Sequence, residues 1–345
     1  MFRCSSYISP TFDQIRVGYR NIASFSNNTA ALMGEEPVYN LYRYTLNDAM
    51  GDKASSYGHT IVHQYFDSGI FGSHHQTLAA EAAVALNIWG FIVHELYETL
   101  NRCVNQGFAE DEDGVHSIDE AVAYWIGSDQ QTGSRTAGYL LYRLTEEAGE
   151  MFNLPKESGQ TRTNRNILKL FKEAALHLTF NDACIEGDTV ATTLGTTIEK
   201  LVSQMLIPLI QHLIYNLKKN DRKRVNIYAI AVVPLLAPCA ADTFEYLKKK
   251  LITDSYDVSE VDAIISSIQS TYGCLGLTCR DIGTLIEMST AVCSDRAELR
   301  PLAGYAPSTD VREVSSSNRG DCVFRLSSQP ELICITCFFS TLILM

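Results

Sequence analysis

Apolar residues recur every three or four positions along most of the chain after Pro37, the spacing typical of amphipathic helices. Between Asn164 and Phe180 they line one helical face. Between Thr196 and Leu217 they are dense enough for a buried core helix, which Pro208 is expected to bend. No stretch shows the sustained alternation of apolar and polar residues that a half-buried strand requires. The sequence therefore predicts an all-α protein built as a multi-helix bundle.

Glycines and polar loops divide this pattern into separate helices. The predicted helices cover residues 37–50, 55–70, 78–103, 118–126, 139–152, 164–180, 196–217, 242–252, 259–272 and 282–288. The stretch 227–237 is very apolar, and Pro234 and Pro238 mark bends in and after it. Residues 1–36 are predicted to form an irregular lead-in, residues 37–292 the helical domain, and residues 293–345 a Ser-rich linker with an apolar tail. A repeated motif, LYRYT at 41–45 and LYRLT at 141–145, indicates two similar helical halves.

Two positions interrupt the helical pattern without a proline. Gly90 is the weak point of the long predicted helix 78–103, because glycine has a low helix propensity. The basic segment LKKNDRKR, at 217–224, is predicted to be a solvated loop.

Charge and cysteine content restrict the class of protein. A net charge of −12 argues against nucleic acid as a partner and suits a protein that attracts cations. Ten cysteines in 345 residues favour an oxidising compartment, where cysteine pairs become disulfides. Cys274 and Cys279, in the segment CLGLTC, are predicted to bond either to each other or to cysteines of other loops. The sequence therefore predicts a secreted, periplasmic or cell-surface protein.

The two ends of the chain bear on this localisation. MFRCSSYISPTF, at the N-terminus, lacks the apolar stretch of roughly 7–15 residues that a signal peptide needs. Either the protein is not secreted or its leader is missing from the sequence. The apolar tail from Leu332 to Met345, with the small residues and polar spacer before it, resembles a lipid-anchor signal that would attach the protein to a membrane. The alternatives are an apolar peptide packed on the core and an artefact of gene prediction.

Histidines and carboxylates occur together at helical spacing. His94 and Glu98, and His116 and Glu120, each lie four residues apart and so share a helical face. Two adjacent helices of this kind can supply four metal ligands, as they do in the carboxylate-bridged metal sites of helical bundles. A second predicted metal cluster comprises His59, His63 and Asp67. Imidazole and carboxylate ligands favour iron or manganese, although zinc is not excluded.

Each of these residues also has a purely structural interpretation. His and carboxylate pairs at this spacing form ordinary ion pairs on helix surfaces. Ser117 and Glu120, within SIDE, match a capping box that would begin a helix at Ile118. The chain contains neither the HExxH zinc motif nor a GxSxG, phosphate-loop or GxGxxG signature. No enzyme class is therefore favoured by a motif.

Several segments in the middle of the chain resemble the iron-assimilation proteins of green algae, a family of periplasmic or secreted proteins induced by low iron. They are SIDEAVAYWIGSDQ (117–130), GYLLYRL (138–144), IEKLVSQMLIPLIQHLIY (198–215), YAIAVVPLLAPC (228–239) and YGCLGLTCRDIG (272–283). The resemblance covers about half of the chain. It implies an extracytoplasmic protein that assists iron uptake without catalytic turnover. It supplies no ligand set, so the candidate ligands come from spacing alone.

These observations lead to one main hypothesis and two rivals. The main hypothesis is an extracytoplasmic iron-binding protein that concentrates ferrous or ferric iron at the cell surface through its His and carboxylate pairs. The first rival is a helical metal-dependent oxidoreductase that uses the same residues. The second is a cell-surface interaction protein whose histidines only form ion pairs with carboxylates.

Overall fold

Helices make up 79% of the part of the chain that the structure describes. The structure is a computed structural model, and it describes residues 16–17, 20–21, 37–67, 73–104, 113–178, 184 and 189–286. These residues belong to one compact unit, Met1–Ala306. The predicted all-α class is confirmed. The predicted linker and apolar tail lie outside the described residues, as does nearly all of the predicted lead-in.

The N-terminal half contains five α-helices in the described ranges. They are α1 (Pro37–Met50), α2 (Tyr57–Asp67), α3 (Ser73–Ala82), α4 (Trp89–Val104) and α5 (Asp113–Ile126). A 3₁₀ turn, Gly51–Ser56, joins α1 to α2. A π-helical segment, Ala83–Ile88, joins α3 to α4 without a break. The irregularity of this long helix therefore comes before Gly90, the residue that the sequence marks as its weak point.

Residues 141–286 contain the other seven α-helices of the described ranges. They are α6 (Leu141–Met151), α7 (Arg162–Leu178), α8 (Val190–Lys219), α9 (Arg222–Val232), α10 (Ala241–Lys248), α11 (Val261–Gln269) and α12 (Cys279–Ile282). Short 3₁₀ or π turns extend or precede several of them, at Val233–Leu236, Lys249–Thr253, Val258–Glu260 and Gly273–Leu275.

Two short antiparallel hairpins are the strands of the described residues. They are β1–β2 (Arg16–Val17, Arg20–Asn21) and β3–β4 (Lys156–Glu157, Gln160–Thr161). Hairpins this short have no room for the alternation that identifies a strand in sequence.

The core is organised around α8. The stretch from Met205 to Leu217 is almost wholly buried, and Pro208 lies inside the helix without ending it. Helices α4, α6, α7 and α9 pack against α8. The prediction of a buried core helix here is confirmed. A separate segment, Thr77–Val104, is long and apolar enough to cross a membrane by length and composition, but 78% of its most apolar window is buried inside the protein.

Two helix starts differ from the predictions. The basic segment at 217–224 is not a loop throughout, because Arg222 already begins α9 and Asp221 caps it by accepting a hydrogen bond from the Arg224 backbone amide. The short final helix is Cys279–Ile282 instead of 282–288. In both places a side-chain cap starts the helix upstream of the apolar residues that the periodicity detects.

A fully buried carboxylate joins three elements beside α8. Glu146 of α6 accepts hydrogen bonds from the Thr161 backbone amide (3.0 Å), the Thr161 hydroxyl (3.0 Å) and the Asn164 side-chain amide (2.8 Å). Asn164 in turn accepts from the Trp125 indole at 3.0 Å. Because these residues lie in α5, α6, β4 and α7, the network fixes how these four elements pack together.

Disulfides fix two further connections. Cys103, at the end of α4, bonds to Cys184, and Cys239 bonds to Cys274. Cys279 is also disulfide-bonded. Of the two predictions for CLGLTC, the structure therefore supports half-cystines that bond to other loops, since Cys274 pairs outside the segment.

Candidate metal centre between α4 and α5

The predicted site lies where α4 packs against α5. Helix α5 begins at Asp113, so Ser117 is inside the helix and buried, and the predicted capping box is wrong. Because Ser117 is not needed as a cap, its hydroxyl is available to the neighbouring helix, where it hydrogen-bonds to the Glu95 carboxyl group. Glu120 lies in the second turn of α5 and not at a helix terminus, close enough to α4 to act on Glu95.

Two carboxyl groups on opposite sides of this interface interact electrostatically. Burial raises the pKa of Glu95 to about 7, and the nearby Glu120 carboxylate acts in the same direction. The His94 imidazole, the Ser117 hydrogen bond and Arg102 act against this rise. Because the Glu120 carboxylate raises the pKa of Glu95, ionising both groups costs free energy, and a bound cation would relieve that repulsion.

Aromatic side chains border the two carboxyl groups. The Phe91 ring lies 4.8 Å from the Tyr124 ring in an edge-to-face arrangement and 6.1 Å from the His94 ring. Phe91 is buried, whereas His94 and Tyr124 are half-buried. Phe91 is four residues before Glu95 on α4, and Tyr124 is four residues after Glu120 on α5, so the contact of the two rings joins the helices one turn from each carboxyl residue.

The other two residues of the predicted four-ligand set are placed differently. Glu98 accepts from Arg102 at 3.0 Å in an ion pair one turn along α4, and both side chains are about one-third exposed. His116 is exposed on α5 and interacts electrostatically with Asp119. The structure therefore brings together Glu120, His94 and the unpredicted Glu95, and it places Glu98 and His116 nearer the surface.

The second predicted cluster lies on α2. The His59 and His63 rings are 5.6 Å apart in an edge-to-face contact; His59 is half-buried and His63 is exposed. Asp67 is the last residue of α2, and its side chain lies outside the described part of the structure. The two histidines are thus neighbours in space, while the third ligand of this cluster stays a prediction.

The side chains around Glu95 include suitable ligands for a cation, but in this structure they are not close enough together to bind one. Glu95 and Glu120 supply the oxygen ligands that iron and manganese accept, and His94 supplies a nearby imidazole. Within the described ranges, no three His, Cys, Asp or Glu side chains are close enough together to hold a metal ion. Binding would therefore require a change of side-chain rotamer, such as rotation of the half-buried His94 toward the carboxyl pair.

Glu95 could have been found from the sequence by one signal. In HELYE the two glutamates, Glu95 and Glu98, are three positions apart and so project about 60° apart around the helix. On the helix, Glu95 is flanked by Ile92, three residues before it, and by Thr99, four residues after it, and both are buried, as is the adjacent Leu96. Glu95 is therefore nearer the apolar face of α4 than Glu98.

Comparison with protein-family models, with characterised proteins and with solved structures finds no match to this chain.

Proposed function

We propose that this protein is an extracytoplasmic iron-binding protein, and that iron binds between α4 and α5. The observation that carries the proposal is that Glu120 of α5 and His94 both act electrostatically on the half-buried Glu95 of α4. Two acidic groups in a partly enclosed site are costly to ionise together, and a divalent or trivalent cation offsets that cost.

Two properties of the whole chain support this location and role. The described cysteines are all in disulfides, which is typical of secreted and periplasmic proteins. A net charge of −12 raises the local concentration of cations around the protein, which suits one that collects iron. The resemblance to the iron-assimilation proteins of green algae agrees with both.

Each side chain has a separate role in the proposed site. Glu95 and Glu120 bind the metal through carboxylate oxygens, and His94 binds it through an imidazole nitrogen. The Ser117 hydroxyl orients Glu95 through their hydrogen bond. Glu98 stays in its ion pair with Arg102 and is not a ligand. Binding and release are the proposed activity, without catalytic turnover.

The test is an anaerobic Fe²⁺ titration of the full-length, disulfide-bonded protein by calorimetry, repeated with Mn²⁺ and Zn²⁺. The Glu95→Gln/Glu120→Gln variant should lose at least tenfold in iron affinity, and His94→Ala should lose less. Glu98→Gln is the matched control on the same helix and should bind as the wild type does. Equal binding by the wild type and the double variant would place the site elsewhere, with His59 and His63 next to be tested.

One observation favours the interaction protein as the alternative. The pairing of Glu98 with Arg102 is an ordinary ion pair of a helix surface, and His116 is exposed next to Asp119. If the wild type binds no metal in the titration, these pairs are structural and this alternative is preferred. Metal-dependent oxygen consumption by the iron-loaded protein would instead favour the oxidoreductase.

A further inference from the structure

Four of the chain's eight histidines fall between positions 59 and 75, and the iron site proposed above uses none of them. The two whose side chains the structure describes are His59 and His63, both on α2. They are four residues apart, so their imidazoles project from the same face of the helix, one turn from each other. His59 is half-buried and His63 is exposed, so ions in solution can reach the pair.

The opposite face of α2 anchors the helix to the rest of the protein. Ile61 and Val62 are buried on that side, and the buried Tyr65 donates a hydrogen bond from its hydroxyl to the Lys223 carbonyl of α9 at 3.0 Å. The backbone that carries the two histidines is therefore fixed by packing that does not involve them. A ligand that binds both imidazoles has little backbone to order, which lowers the entropy cost of binding.

The two rings lie at a separation that suits one shared metal ion. Their centroids are 5.6 Å apart, and their planes are tilted by 62° instead of stacked. A tetrahedral ion about 2.0 Å from one nitrogen of each ring would hold the two centroids roughly 5 Å apart. The χ2 torsion of histidine is broad, so the rings can turn toward a common ion without leaving their favoured side-chain conformations.

We propose that His59 and His63 form a second metal site, which binds Cu²⁺ or Zn²⁺ and is separate from the iron site between α4 and α5. The donors are two neutral imidazole nitrogens, and the affinity of such a site rises along the divalent series from Fe²⁺ to Cu²⁺ and falls again at Zn²⁺. The carboxylates of Glu95 and Glu120 suit iron and manganese instead. The prediction from sequence groups the histidine pair with Asp67, whereas this proposal requires only the two imidazoles. Water completes the coordination, since His63 is exposed.

The test is a Cu²⁺ titration of the full-length, disulfide-bonded protein, followed by electron paramagnetic resonance at one equivalent. The matched variant is His63→Gln/Gln64→His, which keeps the number of histidines and moves one imidazole about 100° around α2. Gln64 is exposed, so both changes lie on the solvent side of the helix, and circular dichroism should show an unchanged fold. The wild-type spectrum should contain couplings to two imidazole nitrogens. The variant should lose one of them and about tenfold or more in Cu²⁺ affinity. His116→Gln, at an exposed histidine of α5, is the control and should bind as the wild type does.

Crossed titrations separate this proposal from that of the iron site. Glu95→Gln/Glu120→Gln should keep Cu²⁺ binding, and His59→Gln/His63→Gln should keep Fe²⁺ binding, so either site can fail without the other. The wild type should bind Cu²⁺ more tightly than Zn²⁺, and the double histidine variant should bind both more weakly. Equal Cu²⁺ affinity and equal nitrogen couplings in the wild type and His63→Gln/Gln64→His would overturn the proposal, as would coupling to a single imidazole in the wild type.

Discussion

Replacing Glu95 with glutamine should stabilise the protein at neutral and alkaline pH. The substitution keeps the shape of the side chain and removes the charge that burial and the Glu120 carboxylate both oppose. In the folded protein Glu95 has a pKa of about 7, against an ordinary value of 4.5. At pH values between 4.5 and 7, Glu95 is protonated in the folded state and ionised in the unfolded state. Stability therefore falls as the pH rises through this window.

The size of the effect follows from the pKa difference. At roughly 1.4 kcal/mol per pKa unit, the free energy of unfolding decreases by at most about 3.5 kcal/mol between pH 4.5 and pH 7. Partial solvent access and the interaction with Glu120 reduce this figure, so we expect Glu95→Gln to gain about 1–3 kcal/mol over the wild type at pH 8. At pH 4, where Glu95 is protonated in the folded state and largely so in the unfolded state, the two proteins should be equally stable to within about 0.5 kcal/mol.

The assay is urea unfolding of metal-free protein, followed by circular dichroism from pH 4 to pH 8. Glu98→Gln is the matched control, since Glu98 lies three residues further along α4 in a partly exposed ion pair with Arg102. It should change stability by less than about 1 kcal/mol. A stability difference between Glu95→Gln and the wild type that is the same at every pH would refute the reasoning, as would a less stable variant at pH 8.

Two further predictions concern the framework. Glu146→Gln should destabilise the protein by about 2–4 kcal/mol in urea unfolding, because the amide nitrogen that replaces Oε2 cannot accept from the Thr161 backbone amide (3.2 Å) and forms no ion pair with Lys156 (3.9 Å). Glu147→Gln, its partly exposed neighbour, is the control and should change stability by less than about 1 kcal/mol; equal effects of the two would contradict the assigned network. Removing the Cys103–Cys184 bond by a double alanine substitution should cost about 4 kcal/mol in the chain-entropy description, because it opens a long loop. Thermal unfolding measures this, and an unchanged melting temperature would show that the bond does not stabilise the fold.

The helical class could be predicted because amphipathic periodicity is a local property of the chain. The dense apolar residues from Thr196 to Leu217 predict a core helix, which the structure contains. Gly127 follows an apolar run, and it ends α5 with a φ of +74°. Helix starts were harder to predict. Capping groups such as Asp221 lie outside the apolar pattern, and the match of Ser117 to a capping box was misleading because α5 had already begun.

By itself, the sequence determined that this protein is all-α, that a helical pair carries histidines and carboxylates, and that cysteines cross-link its loops. These follow from residue identity and short-range spacing. Only the tertiary structure decided that Glu95 and not Glu98 lies beside Glu120, and that Cys274 pairs with Cys239. The physical reason is that each depends on how two distant segments are rotated against each other. That rotation is set by the packing of whole helix faces, which no single segment encodes.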